Sequence, residues 1–341
     1  MKKFISILLL ISISSIVRSQ NQFSDFEEAL ESKESVETLI LRIKDVNNIE
    51  IDDRIELLKN LRELRILSYP GKKLELPKEL RKLQNLKIVT IHGEALTEIP
   101  EIIFELDSVK SLSLGYKEIT DSHSFKKLSK IESLWLYSEY TENFPSSIYH
   151  LSNLRGLAIQ FSEVKEIPEG LGNLSELTHL TIEGGNIRSV PHDIEVLNKL
   201  EYIHLNIEND IDLKLNIDLN KLREFSWYGA PKFPNFVCNY PSVERLQLWR
   251  GKIEEIPDCI CEISNLRDFT IANHPISKLP NCLSSLKNIT MMDFRSTKLE
   301  KIDSKILELP KLFNILIEDC DHFDDDLYRE LKKKYPSKIV K

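Results

Sequence analysis

Few residues in this sequence are of a type and spacing that could do chemistry. The five thiols are Cys238, Cys259, Cys261, Cys282 and Cys320. Cys259-Ile260-Cys261 has one residue too few between its thiols for a thioredoxin-like redox pair. No His stands at ligand spacing from any of the five, so no metal is expected. Glu183, Glu201 and Glu224 could in principle supply the acid and base of a glycosidase, but a chain this charged brings carboxylates together readily. P-loop, H-E-x-x-H and G-x-S-x-G motifs are missing. The acidic group Glu318, Asp319, Asp321, Asp324, Asp325 and Asp326 lacks EF-hand spacing and fits helix capping better than calcium. The expectation is a protein that is not an enzyme and has no catalytic residue, metal or cofactor. What remains is aromatic and imidazole chemistry, which serves recognition.

The elements that position those residues are set by a repeat. The pattern apolar-x-x-apolar-x-apolar begins at Val36, Leu61, Leu86, Val109, Ile131, Leu154, Leu177, Leu200, Leu222, Val243, Leu266, Ile289 and Leu312, with steps of 21 to 25 residues. Most units add an apolar-Pro step followed by apolar residues three and six positions on, as in Ile99-Pro100 with Ile103 and Leu106. The fourth and sixth positions alternate with polar neighbours, the period of a strand buried on one face. One unit cannot bury that face, whereas a stack of units makes a parallel sheet lining a continuous core. The Pro step then turns the chain back along the outer side in an extended or turn conformation.

The sequence resembles the leucine-rich repeat proteins over residues 36–320, about 13 units, and most resembles the short bacterial and plant disease-resistance-like repeats with an Ile-Pro or Leu-Pro step. The fold class this implies is an α/β solenoid, a curved arc with a parallel sheet on its concave face and short helical caps at both ends. One feature departs from the family. Its usual internal Asn, three residues after the last strand aliphatic, is replaced here by Glu94, Lys117, Glu139, Ser162, Gly185, Glu208, Ala230, Gly251, His274, Thr297 and Cys320.

In such a stack positions 3, 5 and 7 of each unit face the concave side. Aromatic and imidazole groups concentrate there in the middle six units, which span about 24 Å at strand spacing. Trp135, Tyr137, Gln160, His179, Tyr202, His204, Tyr228, Arg245 and Trp249 form the candidate partner-binding face, since exposed aromatic and Arg side chains anchor interfaces. Trp227 falls instead at a core position. A protein or peptide is the expected partner, with a glycan on the same aromatics as the alternative. Counted from the preceding Pro, Cys238 and Cys261 share one position and Cys259 and Cys282 another. Cys238–Cys261 and Cys259–Cys282 are therefore the expected disulfides if adjacent coils bring them within reach, and Cys320 is expected to be a buried thiol.

Both ends of a stack need covers. Ser24-Asp25-Phe26-Glu27 reads as a capping box, so residues 20–35 are the expected N-terminal cap. Residues 321–341 are expected to form a C-terminal helix stopped at Tyr335-Pro336, then a short strand at Lys338-Ile339-Val340. Residues 1–19 have the charged, apolar, small-residue order of a signal peptide. The expected product is exported (periplasmic, cell-surface-associated or secreted) and carries no transmembrane segment once the signal is removed. Formal charge is −8 over 341 residues, and loss of Lys2, Lys3 and Arg18 would take it to −11, which disfavours nucleic acid. Asn173-Leu174-Ser175 and Asn288-Ile289-Thr290 are sequons, relevant only on a eukaryotic secretory route. Leu and Ile total 50 and 40 residues, the excess expected when one aliphatic pattern is written thirteen times.

Overall fold

A computed structural model describes residues 21–43, 51–67, 71, 73–93, 95–121, 125–207, 209, 211 and 219–341. The expected signal peptide lies outside the described residues. One parallel sheet of fifteen strands follows chain order without crossover. It comprises β1 (Gln22–Phe23), β2 (Thr38–Arg42), β3 (Glu63–Leu67), β4 (Ile88–His92), β5 (Ser111–Gly115), β6 (Ser133–Ser138), β7 (Gly156–Phe161) and β8 (His179–Glu183). It continues through β9 (Tyr202–Asn206), β10 (Glu224–Tyr228), β11 (Arg245–Trp249), β12 (Asp268–Ala272), β13 (Met291–Asp293), β14 (Asn314–Leu316) and β15 (Ile339–Val340). The thirteen units supply β2 to β14, one strand each, and the terminal segments supply the two edges.

Each strand buries alternate residues. In β9, Ile203 and Leu205 are buried while Tyr202, His204 and Asn206 are half-buried on the other face. The register is in phase throughout, so equivalent residues stand in rows: Trp135 pairs with Ala158, Ala158 with Thr181, and Thr181 with His204. On the outer side the Pro steps open short 3-10 helices rather than extended chain. Pro77, Pro100, Pro145, Pro191, Pro234, Pro257 and Pro280 each immediately precede one. Proline suits that place because its φ is preset and its missing N–H leaves no donor unpaired. Three residues further on, Ile103, Ile194, Ile260 and Leu283 enter the core, each contributing roughly 1.5–3 kcal/mol gross.

An asparagine ladder is present, but at another place in the repeat. The residue before each unit's first aliphatic is often Asn or Ser, and its side chain reaches a backbone carbonyl of the preceding coil. Asn60 donates to Glu34 O, Asn85 to Lys59 O, Asn153 to Ser129 O, Asn265 to Pro241 O and Asn288 to Ser264 O, all at 2.8–2.9 Å. Ser108 and Ser242 do the same to Leu83 O and Leu222 O. Lys199 replaces the amide with an ion pair to Glu176 of the coil before, at 2.5 Å.

The turn after the strand comes in two phases. From β4 to β9 the residue directly after position 7 points inward: Tyr116, Ser138, Phe161 and Ile207 are buried, while Lys117, Glu139 and Ser162 beyond them are exposed. From β10 onward the inward residue comes one later. Arg250, Asn273, Ser296 and Asp319 adopt φ of 48°, 58°, 54° and 59°, and Gly229 one of 95°. That left-handed step swings Ala230, His274, Thr297 and Cys320 into the interior. Ile253 N donates there to His274 Nδ1 at 3.1 Å, and Thr297 donates to Phe294 O at 2.8 Å. Gly251 shares this row because a Cβ on it would stand 2.0 Å from Ala230 O. The family's Asn site is therefore internal only in the C-terminal part of the stack.

Two local expectations need correction. The N-terminal helix Phe26–Glu31 is capped by Asp25, whose carboxylate accepts from Glu28 N at 2.9 Å, not by Ser24; Phe26 and Ala29 are then buried against the first coil. The disulfides use other pairs: Cys238–Cys259 and Cys261–Cys282, with Cα separations of 5.6 and 5.9 Å. The 3-10 conformation explains this. With three residues per turn, the cysteines on either side of buried Ile260 project to opposite sides. Equivalent positions in stacked coils point the same way, so Cys261 cannot meet Cys238, and each bridge joins a late position of one coil to an early position of the next. Cys320 is a buried free thiol donating to Phe294 O at 3.1 Å. At the C-terminus Asp324 caps the helix Asp325–Lys334, and β15 pairs with β14.

Candidate functional site

The concave face is built from three rows. At position 3 stand Ser133, Gly156, His179, Tyr202, Glu224, Arg245 and Asp268; at position 5, Trp135, Ala158, Thr181, His204, Ser226, Gln247 and Thr270; at position 7, Tyr137, Gln160, Glu183, Asn206, Tyr228, Trp249 and Ala272. The sequence-predicted residues all lie in these rows, and the register brings them onto one continuous surface. Trp227, by contrast, is 2% exposed, and its indole N–H donates to Ile207 O at 3.3 Å.

Trp135 has a neighbour that sequence reasoning missed. His92, two strands away on β4, lies 4.9 Å from it, centroid to centroid, at 60°. Strands two apart are separated by about 9.6 Å, so the rings meet only because β5 is low between them. Ser113 bonds His92 Nε2 at 2.8 Å, and a Cβ on Gly115 would come within 2.9 Å of the His92 ring. Burial pushes His92 down to about 4, so it packs as a neutral imidazole. The signal for this contact was the run of small residues Ser111, Ser113 and Gly115 beside an aromatic strand.

On the other side of β6 the floor is low again, at Gly156 and Ala158. Beyond it His179 stacks on Tyr202, centroids 4.3 Å apart at 16°, and burial lowers the His179 pKa. Glu183 is 5% exposed, and burial pushes its carboxyl up to about 7 against the opposing pull of the Asn206 side chain. Its Oε1 lies 3.8 Å from His204 Nε2, and His204 is itself pushed down to about 4 by burial. Tyr137 donates to Glu139 at 2.8 Å. Arg250 lies over the ring of Tyr228 at 5.7 Å, and Trp249 is half-buried beside Tyr228.

Arg245 is held by two carboxylates, at 2.8 Å from Glu224 and 3.0 Å from Asp268. Its charge is thereby matched across three strands. Glu183 and Glu224 stand two strands apart in different rows. Among the described residues no group of three or more His, Cys, Asp or Glu could hold a metal ion. A cleft of about 590 Å³ lies away from this face, where Glu254, Asp258, Lys278 and Lys298 surround Ile256, Pro275 and Pro280.

A family profile described as a leucine-rich repeat region matches residues 16–166. A leucine-rich repeat protein of Leptospira interrogans has a similar structure, with a TM-score of 0.55 and 18% identity over 94% of this chain and 100% of that one. The plant peptide hormone receptor RGFR1, solved in complex with RGF2, gives a TM-score of 0.55 at 20% identity over 85% of this chain and 48% of the receptor. An internalin from Listeria monocytogenes gives 0.52 at 14% identity over 89% and 83%. No curated protein matches. At these identities the likeness is one of fold. With thirteen in-phase units, an unclosed parallel sheet and a family match over residues 16–166, the chain has the leucine-rich repeat solenoid fold.

Proposed function

We propose that this chain is a non-catalytic recognition protein that binds a protein or peptide on its concave face. The observation that carries the reading is the clustering of Trp135, Tyr137, His179, Tyr202, Tyr228 and Trp249 on one face of six consecutive strands, with the small residues Gly156 and Ala158 leaving depth between them. Large, partly apolar side chains held at fixed spacing bind with little entropy loss, and a contiguous patch of them marks a contact surface. The fold shared with a peptide hormone receptor supports the same reading. Two disulfides support an oxidising compartment, and no helix among the described residues is long and apolar enough to cross a membrane. Export is accordingly part of the proposal.

The test is an affinity capture comparing wild type with the Trp135→Ala/Trp249→Ala double variant. Loss of two interface anchors is expected to cost about 2 kcal/mol or more each, removing the partner from the eluate. Retention of every partner by the double variant would sink the concave-face reading. A glycan array with the same two proteins separates out the carbohydrate alternative, which wins if soluble polysaccharide binds to wild type alone.

A further inference from the structure

We propose that the concave face between β6 and β9 is a seat for one cationic side chain of the partner, an arginine or a lysine, with Trp135 as its aromatic wall and Glu183 as its counter-charge. The proposal rests on the reading of the concave face as a peptide-binding surface. Its geometry follows from the register. Trp135 stands on β6 and Glu183 on β8, two strands apart and two residues further along, so the walls are about 12 Å apart on a diagonal across β7. On β7 the register places Ala158 beside Trp135 and Gln160 beside Glu183. Ala158 leaves the Trp135 side of the gap open, and Gln160 borders it on the Glu183 side. His92 packs on Trp135 from the β4 side and fixes that wall.

Glu183 is the residue that names the ligand. It is 5% exposed, and its Oε1 has no hydrogen-bond partner. Buried carboxylate oxygens are nearly always satisfied, so a lone one needs a donor from elsewhere. His204 Nε2, at 3.8 Å, is too far away to be that donor. The groups that the flanking strands set against Glu183 are Gln160 on β7 and His204 and Asn206 on β9. None of these is a cation at neutral pH, because burial keeps His204 uncharged. One strand further out stand Tyr137 and Tyr228, and Arg250 is placed over the Tyr228 ring.

An ammonium or guanidinium meets both needs of this place. It donates to Oε1, and its charge offsets the desolvation that raises the proton affinity of the carboxyl. Its other face is favoured by the indole, the best of the aromatic rings for a cation. A neutral apolar partner residue would leave Oε1 unpaired, and an acidic one would set a second carboxylate beside it. The proton on Glu183 leaves to solvent as the cation arrives, so the affinity rises with pH through neutrality.

The experiment uses the full chain and four capped nonapeptide libraries, identical except for a central residue fixed as arginine, lysine, citrulline or glutamate. The arginine and lysine libraries are expected to bind at least about tenfold more tightly than the citrulline library, and this preference to disappear in Glu183→Gln. Trp135→Ala is expected to weaken all binding. In the wild type, arginine-library binding tightens from pH 6 to pH 8, and in Glu183→Gln it does not. Unchanged citrulline binding in Glu183→Gln shows that the face is intact. Equal binding of arginine and citrulline, lost in Trp135→Ala, overturns the cationic seat and leaves the peptide-binding face standing. Failure of all four libraries to bind, or binding indifferent to Trp135→Ala, overturns the face and the seat with it.

Discussion

Gly251 and Gly185 occupy the same place in their repeats and should differ sharply on substitution. A Cβ at Gly251 would lie 2.0 Å from Ala230 O and 2.5 Å from the His274 ring, whereas one at Gly185 meets nothing within 4 Å. Backbone cannot yield as a side chain can, so Gly251→Ala is expected to cost about 1–3 kcal/mol, and Gly185→Ala almost nothing. Chemical denaturation of the two variants checks this, and equal midpoints would contradict the two-phase turn. The difference comes from the chain around each glycine. In one part of the stack this position is carried into the interior by a left-handed residue before it, and in the other it stays outside. A pattern was present in the sequence: Tyr116, Phe161 and Ile207 are apolar where Arg250, Asn273 and Asp319 are polar. It was not readable until the structure showed which of two adjacent positions turns inward.

At the scale of elements, the 3-10 helices and the strands are locked between coils by different devices. The disulfides join the outer sides of the coils that carry β10, β11 and β12, directly behind Tyr228, Arg245 and Trp249. Each closes a loop of 21 residues, for which chain-entropy reasoning gives about 3 kcal/mol. Cys261→Ser should therefore leave Cys238–Cys259 oxidised and expose Cys282 to alkylation. Cys259→Ser should instead free Cys238. The reverse labelling would restore the pairing by equivalent position. Elsewhere the coils are tied by single amides. Asn265→Ala removes the bond to Pro241 O, and its expected cost is about 1 kcal/mol, read as a lower denaturation midpoint. The Asn-Leu and Asn-Ile dipeptides that begin these units are plain in the sequence, but a dipeptide does not say that its amide reaches back to the previous coil.

For the whole molecule, stability is predicted to fall on mild acidification. His92, His204 and His274 are each pushed down to about 4 by burial, against an ordinary value of 6.5. Unfolding restores their ordinary proton affinity, so between those values the unfolded chain holds more protons and the native state loses stability as pH falls. Glu183 works in the other direction. Its folded value of about 7 lies above the ordinary 4.5, so the native state binds its proton first and this contribution weakens as pH rises through that window. His179, also lowered by burial, acts with these three imidazoles against one carboxyl, and the urea midpoint should be lower at pH 5 than at pH 7. A midpoint that is flat or higher at pH 5 would show that these histidines are not buried in the neutral form.

The sequence by itself determined the solenoid, its thirteen strands, the residues in each row of the concave face and the identity of the inward aliphatics. Those follow from local periodicity, because a strand with one buried face must alternate and a unit that cannot bury itself must stack. Tertiary structure alone decided which cysteines meet, which residue of each turn enters the core, and that His92 reaches Trp135 across a glycine. Each of these depends on the direction in which a side chain leaves one coil relative to the next. Spacing along the chain fixes which positions are neighbours in a stack, but only the folded backbone fixes where their Cβ vectors point.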